Sequence, residues 1–370
     1  MKKALFVLLA VLAIGLLMVS CGKKETPTAT APAPAQAVAQ PATVPAPAPA
    51  PVAEQPKPAK VIKIALIIEN TIDDKGWCQA MHDGITLAVQ QNPGRIEYSY
   101  SEKMKPVDAG SAVLQYAGQG YDVIIGHGAQ YKNLITEMAA EYPDISFAFG
   151  TSSEIVGPNV FSYMPQSEET GYLNGLIAGM LTKSNVIGLI GPVDGGDAAR
   201  YNRGFVLGVK AVNASANVMV AHTGSFSDFV KATEVAHSQI RSGADILTGS
   251  SQQALGGLRA VADYRDKDIW WVGQDLAQIG IPEGYKVLSA SSYNYAAVIN
   301  TLVKRLDAGI KGGENIPMNF NNDGFVFKFN DATKSKITSA VEAKVNEALA
   351  AFKGQAGHAS VVDWSSVKYN

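Results

Sequence analysis

Apolar and polar positions alternate along the chain in two repeating periods, a short buried run followed by a helical stripe. The first such unit is VIKIALIIENTIDDKGWCQAMHDGITLAVQQ, residues 61–91. Residues 62–68 are apolar except for Lys63, the pattern of a strand covered on both faces. A polar loop over 69–75 follows, and an amphipathic helix is expected from near Gly76. The alternation continues with strands at 96–100, 121–126, 145–149 and 160–163 and helices at 107–119 and 131–142. Residues 168–181 (EETGYLNGLIAGML) are apolar at helical spacing around most of the circumference, which predicts deep burial. Lys183-Ser184-Asn185 breaks the pattern.

A second series then begins. Strands are expected at 186–190, 217–221, 245–247, 269–272, 285–291 and 324–329, and helices at 200–213, 228–241, 253–263, 296–308 and 333–352. Two successive βα series, each with at least four strands, predict an α/β protein of two doubly wound, Rossmann-like lobes. Lobe one is expected to comprise 61–183 plus 290–318, and lobe two 184–289 plus 319–354, with 355–370 as a tail. The chain would cross between lobes near 182–185, 287–291 and 317–322, and a ligand would sit in the cleft between them.

The region before residue 61 reads differently. Residues 1–20 resemble a secretory leader, basic at Lys2 and Lys3 and then apolar through Val19, too short for a comfortable membrane span. Ser20-Cys21-Gly22 resembles a bacterial lipobox, which makes Cys21 the expected lipidated residue and the cell envelope the expected location; the alternative is an ordinary leader with an incidental cysteine. Residues 21–60 hold ten of the 18 prolines, interleaved with Ala, Val, Thr and Gln. Such a stretch has little to bury and favours polyproline II, a tether reaching up to about 100 Å.

Charge narrows the classes of partner. Lys and Arg number 31, Asp and Glu 33, for a net charge of −2. With no basic stripe, nucleic acid is not an expected partner. Cys78 is the one cysteine besides Cys21, and the five histidines lack metal-ligand spacing, so neither a disulfide nor a metal cofactor is expected.

In open α/β sheets ligands bind beyond the carboxyl ends of strands. The predicted ends are 69–77, 127–130, 191–197, 223–228, 249–253 and 273–275, rich in small residues, amides, aromatics and carboxylates. That inventory suits hydrogen-bonded, stacked recognition of a polar ring compound. It lacks the phosphate-cradling spacing of a P-loop or a dinucleotide site. Trp77 either stacks on a flat ligand or plugs the top of the core. Phe226 is equally open between ligand and core, and Asp228 reads as the N-cap of the helix after it. Asp275 has no predicted helix behind it, so capping explains it poorly. Adjacent Asp73 and Asp74 diverge, no nucleophile stands beside a base, and catalysis is the weaker class.

The motifs IDDKGWCQAMHDG, GYLNGLIAGMLTKSNVIGLIGPV, RGFVLGVKAVN, TGSFSDFVKA, SGADILTGSSQQALGG and WWVGQDLAQ occur here in the order found in the basic membrane protein family. The chain resembles these lipid-anchored, purine-nucleoside-binding receptors of ABC transporters over nearly all of 61–349. The resemblance implies a periplasmic-binding-protein type I architecture, a small-molecule ligand, an ABC permease as partner, and a protein acting as a monomer held at the membrane by its lipid. It assigns one ring-stacking aromatic to Trp77 and the other to Phe226, and a ribose-binding carboxylate to Asp275. Asp74 matches the acid of the family's Asp-x-Ser-Phe-Asn motif, while Gly76 and Cys78 replace its Ser and Asn. Asp74, Gln130 and Asp275 are then expected to read ring or sugar donors. Ala277 replaces a second aspartate, and residues 291–294 stand where a lysine is expected. The Gly-Trp pairing is similar to a subgroup associated with free bases, which leaves nucleoside against base open. The competing expectation is a surface lipoprotein that senses or adheres and binds another polar ligand such as a sugar.

Overall fold

The computed structural model describes residues 60–354 and 362–368. The expected leader, Cys21 and nearly all of the tether lie outside the described residues. Two six-stranded sheets make up the fold. The first runs β11-β5-β4-β3-β1-β2, built from β1 (Ile62–Ile67), β2 (Ile96–Ser101), β3 (Val123–Gly126), β4 (Ser146–Gly150), β5 (Val160–Pro165) and β11 (Glu314–Met318). The second runs β12-β10-β9-β8-β6-β7, from β6 (Val186–Gly191), β7 (Asn217–His222), β8 (Ile246–Gly249), β9 (Trp270–Gly273), β10 (Val287–Tyr293) and β12 (Phe325–Phe329). All neighbours are parallel except β10 and β12.

Helices cover both faces of each sheet, which is why the central strands β1, β3, β4, β6 and β8 are buried almost throughout. In the first half α1 (Trp77–Gln91) and α8 (Tyr295–Asp307) close one core with Ile64, Leu66 and Ile125. On the opposite face α2 (Ala109–Gly118) and α3 (Lys132–Glu141) pack on Ile67, Ile124 and Phe147. In the second half α4 (Glu168–Leu181), α5 (Gly196–Val212) and α9 (Ser339–Lys353) cover one face, α6 (Phe229–Arg241) and α7 (Ala254–Asp263) the other.

The crossings differ from two of those expected. The helix over 168–181 belongs to the second half, its Leu173, Leu176 and Ile177 sharing a core with Leu189, Val272 and Leu288. The chain therefore leaves the first sheet after Pro165, not near 182–185. Likewise β10 stays in the second sheet through Tyr293, pairing with β12 at Tyr293↔Phe325, so the return crossing falls at residue 294 rather than 287–291. The third crossing lies between Met318 and Phe325. Of the tail, Val362 is buried against the second core and Arg203 Nε donates to the Val367 carbonyl at 3.2 Å.

The burial of α4 rests on glycine. A Cβ at Gly171 would lie 2.1 Å from the Tyr201 carbonyl oxygen, and one at Gly175 2.2 Å from that of Phe205. Reciprocally, Gly204 and Gly208 of α5 would each bring a Cβ within 2.2 Å of an α4 carbonyl oxygen, at Glu168 and Tyr172. The two backbones touch directly. Gly175→Ala gains about 1 kcal/mol of helix propensity but must part the helices, a cost of about 1–3 kcal/mol or more. A thermal melt should show Gly175→Ala less stable than the parent, while Gly118→Ala, whose Cβ meets nothing within 4 Å, is neutral or stabilising.

Candidate functional site

The first five strands of each half follow the order 2-1-3-4-5, so each sheet reverses direction between its first and third strands. Ligands in doubly wound sheets bind at this switch point, beyond the strand carboxyl ends. Both switch points open on one cavity of about 990 Å³. The loops after β1, β2, β3 and β4 wall one side, and the loops after β6, β7, β8 and β9 with the end of β10 wall the other.

Trp77 is the first residue of α1, and the loop before it is fixed by Asp74. One Asp74 carboxylate oxygen accepts from the N–H groups of Gly76 and Gln79, both at 3.0 Å, and the other from that of Cys78 at 3.2 Å. Oδ2 also accepts from Gln252 Nε2 of the second half at 3.1 Å. Asp74 is off the cavity wall: its acceptors serve the helix terminus and a bond between halves. Asp73 is exposed.

The Trp77 indole lies on the His127 imidazole, centroids 4.3 Å apart and planes 10° from parallel. Tyr293 and Tyr295 meet it edge to ring at 5.1 and 5.6 Å. Half-buried, Trp77 caps the first core and lines the cavity at once. Burial holds the His127 pKa down to about 3, so the ring is neutral. Its Nε2 is 3.1 Å from the Trp77 carbonyl, which can only accept, so Nε2 carries the proton. Nδ1 then accepts from the Tyr163 hydroxyl at 2.7 Å.

Opposite, Phe226 is 51% exposed on the cavity wall and outside the core. Asp228 caps α6, accepting from the Lys231 N–H at 2.8 Å. Gln130 lines the first-half wall and donates to Glu69 Oε2 at 3.2 Å. Gly128 before it has φ +139°, and a Cβ there would strike the Gln130 amide.

Asp275 corrects the expectation about capping. A 3₁₀ turn, Leu276–Ile279, starts directly after it, and Oδ1 accepts from the Ala277 N–H at 2.9 Å. The residue is also on the cavity wall and only 9% exposed. Burial, with the Asp74 charge adding, pushes its pKa up to about 7.

Wall residues that carried no role in the sequence reading include His127, Asp197, Gln274 and Tyr293. Asp197 was obscured because α5 starts at Gly196, one turn before the expected helix. Tyr293 lay beyond the predicted end of its strand, although an aromatic two residues past Ser291 on one strand face was the available signal.

Residues 61–353 match the family described as ABC transporter substrate-binding protein PnrA-like (Bmp). Among relatives, the CD4+ T-cell-stimulating antigen of Listeria innocua is 28% identical over 263 residues, 69% of this chain and 73% of that one. The ABC transporter nucleoside-binding protein BmpA of Lactococcus lactis subsp. cremoris is 27% identical over 303 residues, covering 76% and 85% of the two chains. The solved ABC transporter system solute-binding protein from Conexibacter woesei aligns with a TM-score of 0.65 at 20% identity, over 78% of this chain and 95% of that one. The common fold is the two-lobed type I periplasmic-binding architecture.

The raised Asp275 pKa has a sign. Unfolded, the carboxyl ionises near 3.8, while in the fold it stays protonated until about 7. The folded state thus binds more protons in that window, and stability falls as pH rises through it. Asp275→Asn, which keeps an acceptor for the Ala277 N–H, should match the parent near pH 4. Above pH 7 it should exceed the parent by roughly 3 kcal/mol or less, a difference denaturant titration at the two pH values will read.

Proposed function

The chain belongs to the PnrA-like family of ABC transporter substrate-binding proteins, and from that premise we propose that its cleft captures a purine nucleoside or purine base for import. The observation that carries this reading is the pairing of Trp77 from one half with Phe226 from the other on the walls of a single cavity. A flat ring held between them gains about 1 kcal/mol per stack beyond its area burial. The amide of Gln130 and the carboxyl group of Asp275 supply polar partners, and a buried acid left unmatched by the wrong ligand costs affinity. The name of the nucleoside-binding Lactococcus lactis relative supports the same ligand class.

Capture needs no bond making. A ligand touching both walls stabilises the state in which the halves meet, and the Asp74–Gln252 bond adds to that state. The loaded protein then delivers its cargo to the membrane permease of the transporter. Lipidation at Cys21 would keep it on the envelope surface near that permease. Among the described residues, no helix is long and apolar enough to cross a membrane.

A thermal-shift screen of purine bases, nucleosides, pyrimidines, sugars and amino acids tests the ligand class. A ligand at 100 times its Kd adds about 2.7 kcal/mol. Purines should shift the melt, and Trp77→Ala should weaken the best of them about tenfold or more without loss of fold. A shift with sugars alone would keep the two-lobed binder and remove the purine assignment.

A further inference from the structure

A second cavity, of about 740 Å³, lies outside the cleft. Tyr293 lines the cleft and Asn294, the crossing residue after it, lines this one, so the two cavities flank the same crossing. Its walls come from both halves: α8 of the first, β12 and the end of α9 of the second, with residues of the third crossing between them in sequence.

Its charge balance is the reverse of the cleft's. The cleft sets Glu69, Asp197 and Asp275 against Lys75 and Lys105. The second cavity is lined by Lys304 in the last turn of α8, Lys328 on β12 and Lys353 at the end of α9, and among the described residues its one acid is Asp323. Cations nearby in sequence have carboxylate partners: Arg305 meets Glu314 at 2.6 Å, Lys334 meets Glu342 at 2.8 Å and Lys344 meets Glu347 at 3.0 Å. Lys304, Lys328 and Lys353 have none among the described residues. The amides on the same wall are already used. Asn300 Nδ2 donates to Gln91 Oε1 at 2.7 Å, and Asn294 Nδ2 to the Asp323 carbonyl at 2.8 Å. The donors left over are ammonium groups, in a concavity that focuses their field.

We propose that this cavity is an anion site that takes a phosphate group, free or as a small monoester. A phosphate monoester brings about −1.5 to −2 charge at pH 7 and three acceptor oxygens. The wall answers with three ammonium groups, held from three different elements, and one carboxylate. Lysine acts as a mobile point charge and not as a planar fork, which suits a tetrahedral group approached from several sides. Phe327 and Leu349, half-buried on the same wall, offer apolar surface to the carbon part of an ester. Because Lys304 belongs to the first half and Lys328 and Lys353 to the second, a phosphate held by them bridges the halves beside the crossing.

The test is calorimetric titration of the full chain with inorganic phosphate, glycerol phosphate and succinate. Phosphate-bearing probes should bind at one site, weaken about tenfold or more between about 0.05 M and 0.5 M NaCl, and weaken again from about pH 7.5 to pH 5 as the ligand takes up its second proton. Lys304→Gln, Lys328→Gln and Lys353→Gln should each cost about threefold to tenfold, and the triple variant should leave no measurable binding. Asp323→Asn should bind about twofold to fivefold more tightly. Asp323 has φ +57°, a conformation asparagine also adopts, and the three lysines are exposed, so all four single variants should melt near the parent. Tighter binding of glycerol phosphate supports the site with an ester as its source, and equal or tighter binding of inorganic phosphate supports it with the free anion. Binding undiminished in the triple variant, weaker binding in Asp323→Asn, succinate tighter than both phosphates, or neither phosphate bound, each overturns the proposal. The probes carry no ring, so none of these outcomes bears on the purine reading.

Discussion

The cleft depends on how one indole is held. Trp77 sits at the end of the loop from β1 and His127 directly after β3, on opposite sides of the first switch point. The imidazole donates to the Trp77 carbonyl at 3.1 Å while the indole N–H points back at the His127 carbonyl at 3.4 Å. Two rings and two backbones thus fix each other, and the orientation of Trp77 follows from the spacing of neighbouring strands more than from its own rotamer. A cationic imidazole would break this arrangement, since Nδ1 accepts from Tyr163. Burial prevents it. Stacks of this kind are worth about 0.5–1.5 kcal/mol each, modest for stability but enough to hold the indole in one pose on the cavity wall.

Asp74 shows how an acid that looks available can already be committed. Three N–H groups at the start of α1 and one amide from the other half use its oxygens. Gly76 belongs to the same arrangement: a Cβ there would come 3.2 Å from Gln252 Cγ, so the missing side chain leaves room for the second half to approach. The loop that seats the indole is thus also the loop by which the halves meet.

Much of this was legible in the sequence. The two βα series were plain because central strands covered on both faces are apolar throughout, and the predicted strand ends are loops that wall the cavity. The failures were physical. Edge strand β11 (ENIPM) carries Pro317 and polar residues, which an edge tolerates and a pattern search discards. The helix over 168–181 went to the wrong half because periodicity gives burial without a partner, and its glycines name α5 only once the backbones are seen together. For the site, Trp77, Phe226, Gln130 and Asp275 lie on the cavity wall, while Asp74 does not. Asp197 and Tyr293 were hidden by element ends misjudged by one turn and two residues, the part of a pattern that fixes itself least.

The glycine seam between α4 and α5 has a mechanical consequence. One end of α4 follows the first crossing, where Glu168 is bound by Arg200 through both guanidinium arms, and α5 opens with Asp197 on the cavity wall. Side chains between helices act as a compliant gasket, able to slip rotamer by rotamer and absorb a small rotation. Carbonyl oxygens resting on Cα atoms have no such play. The seam ties the α4 end at the crossing to the Asp197 end of α5 by backbone contact, with no layer of side chains between them to take up slack.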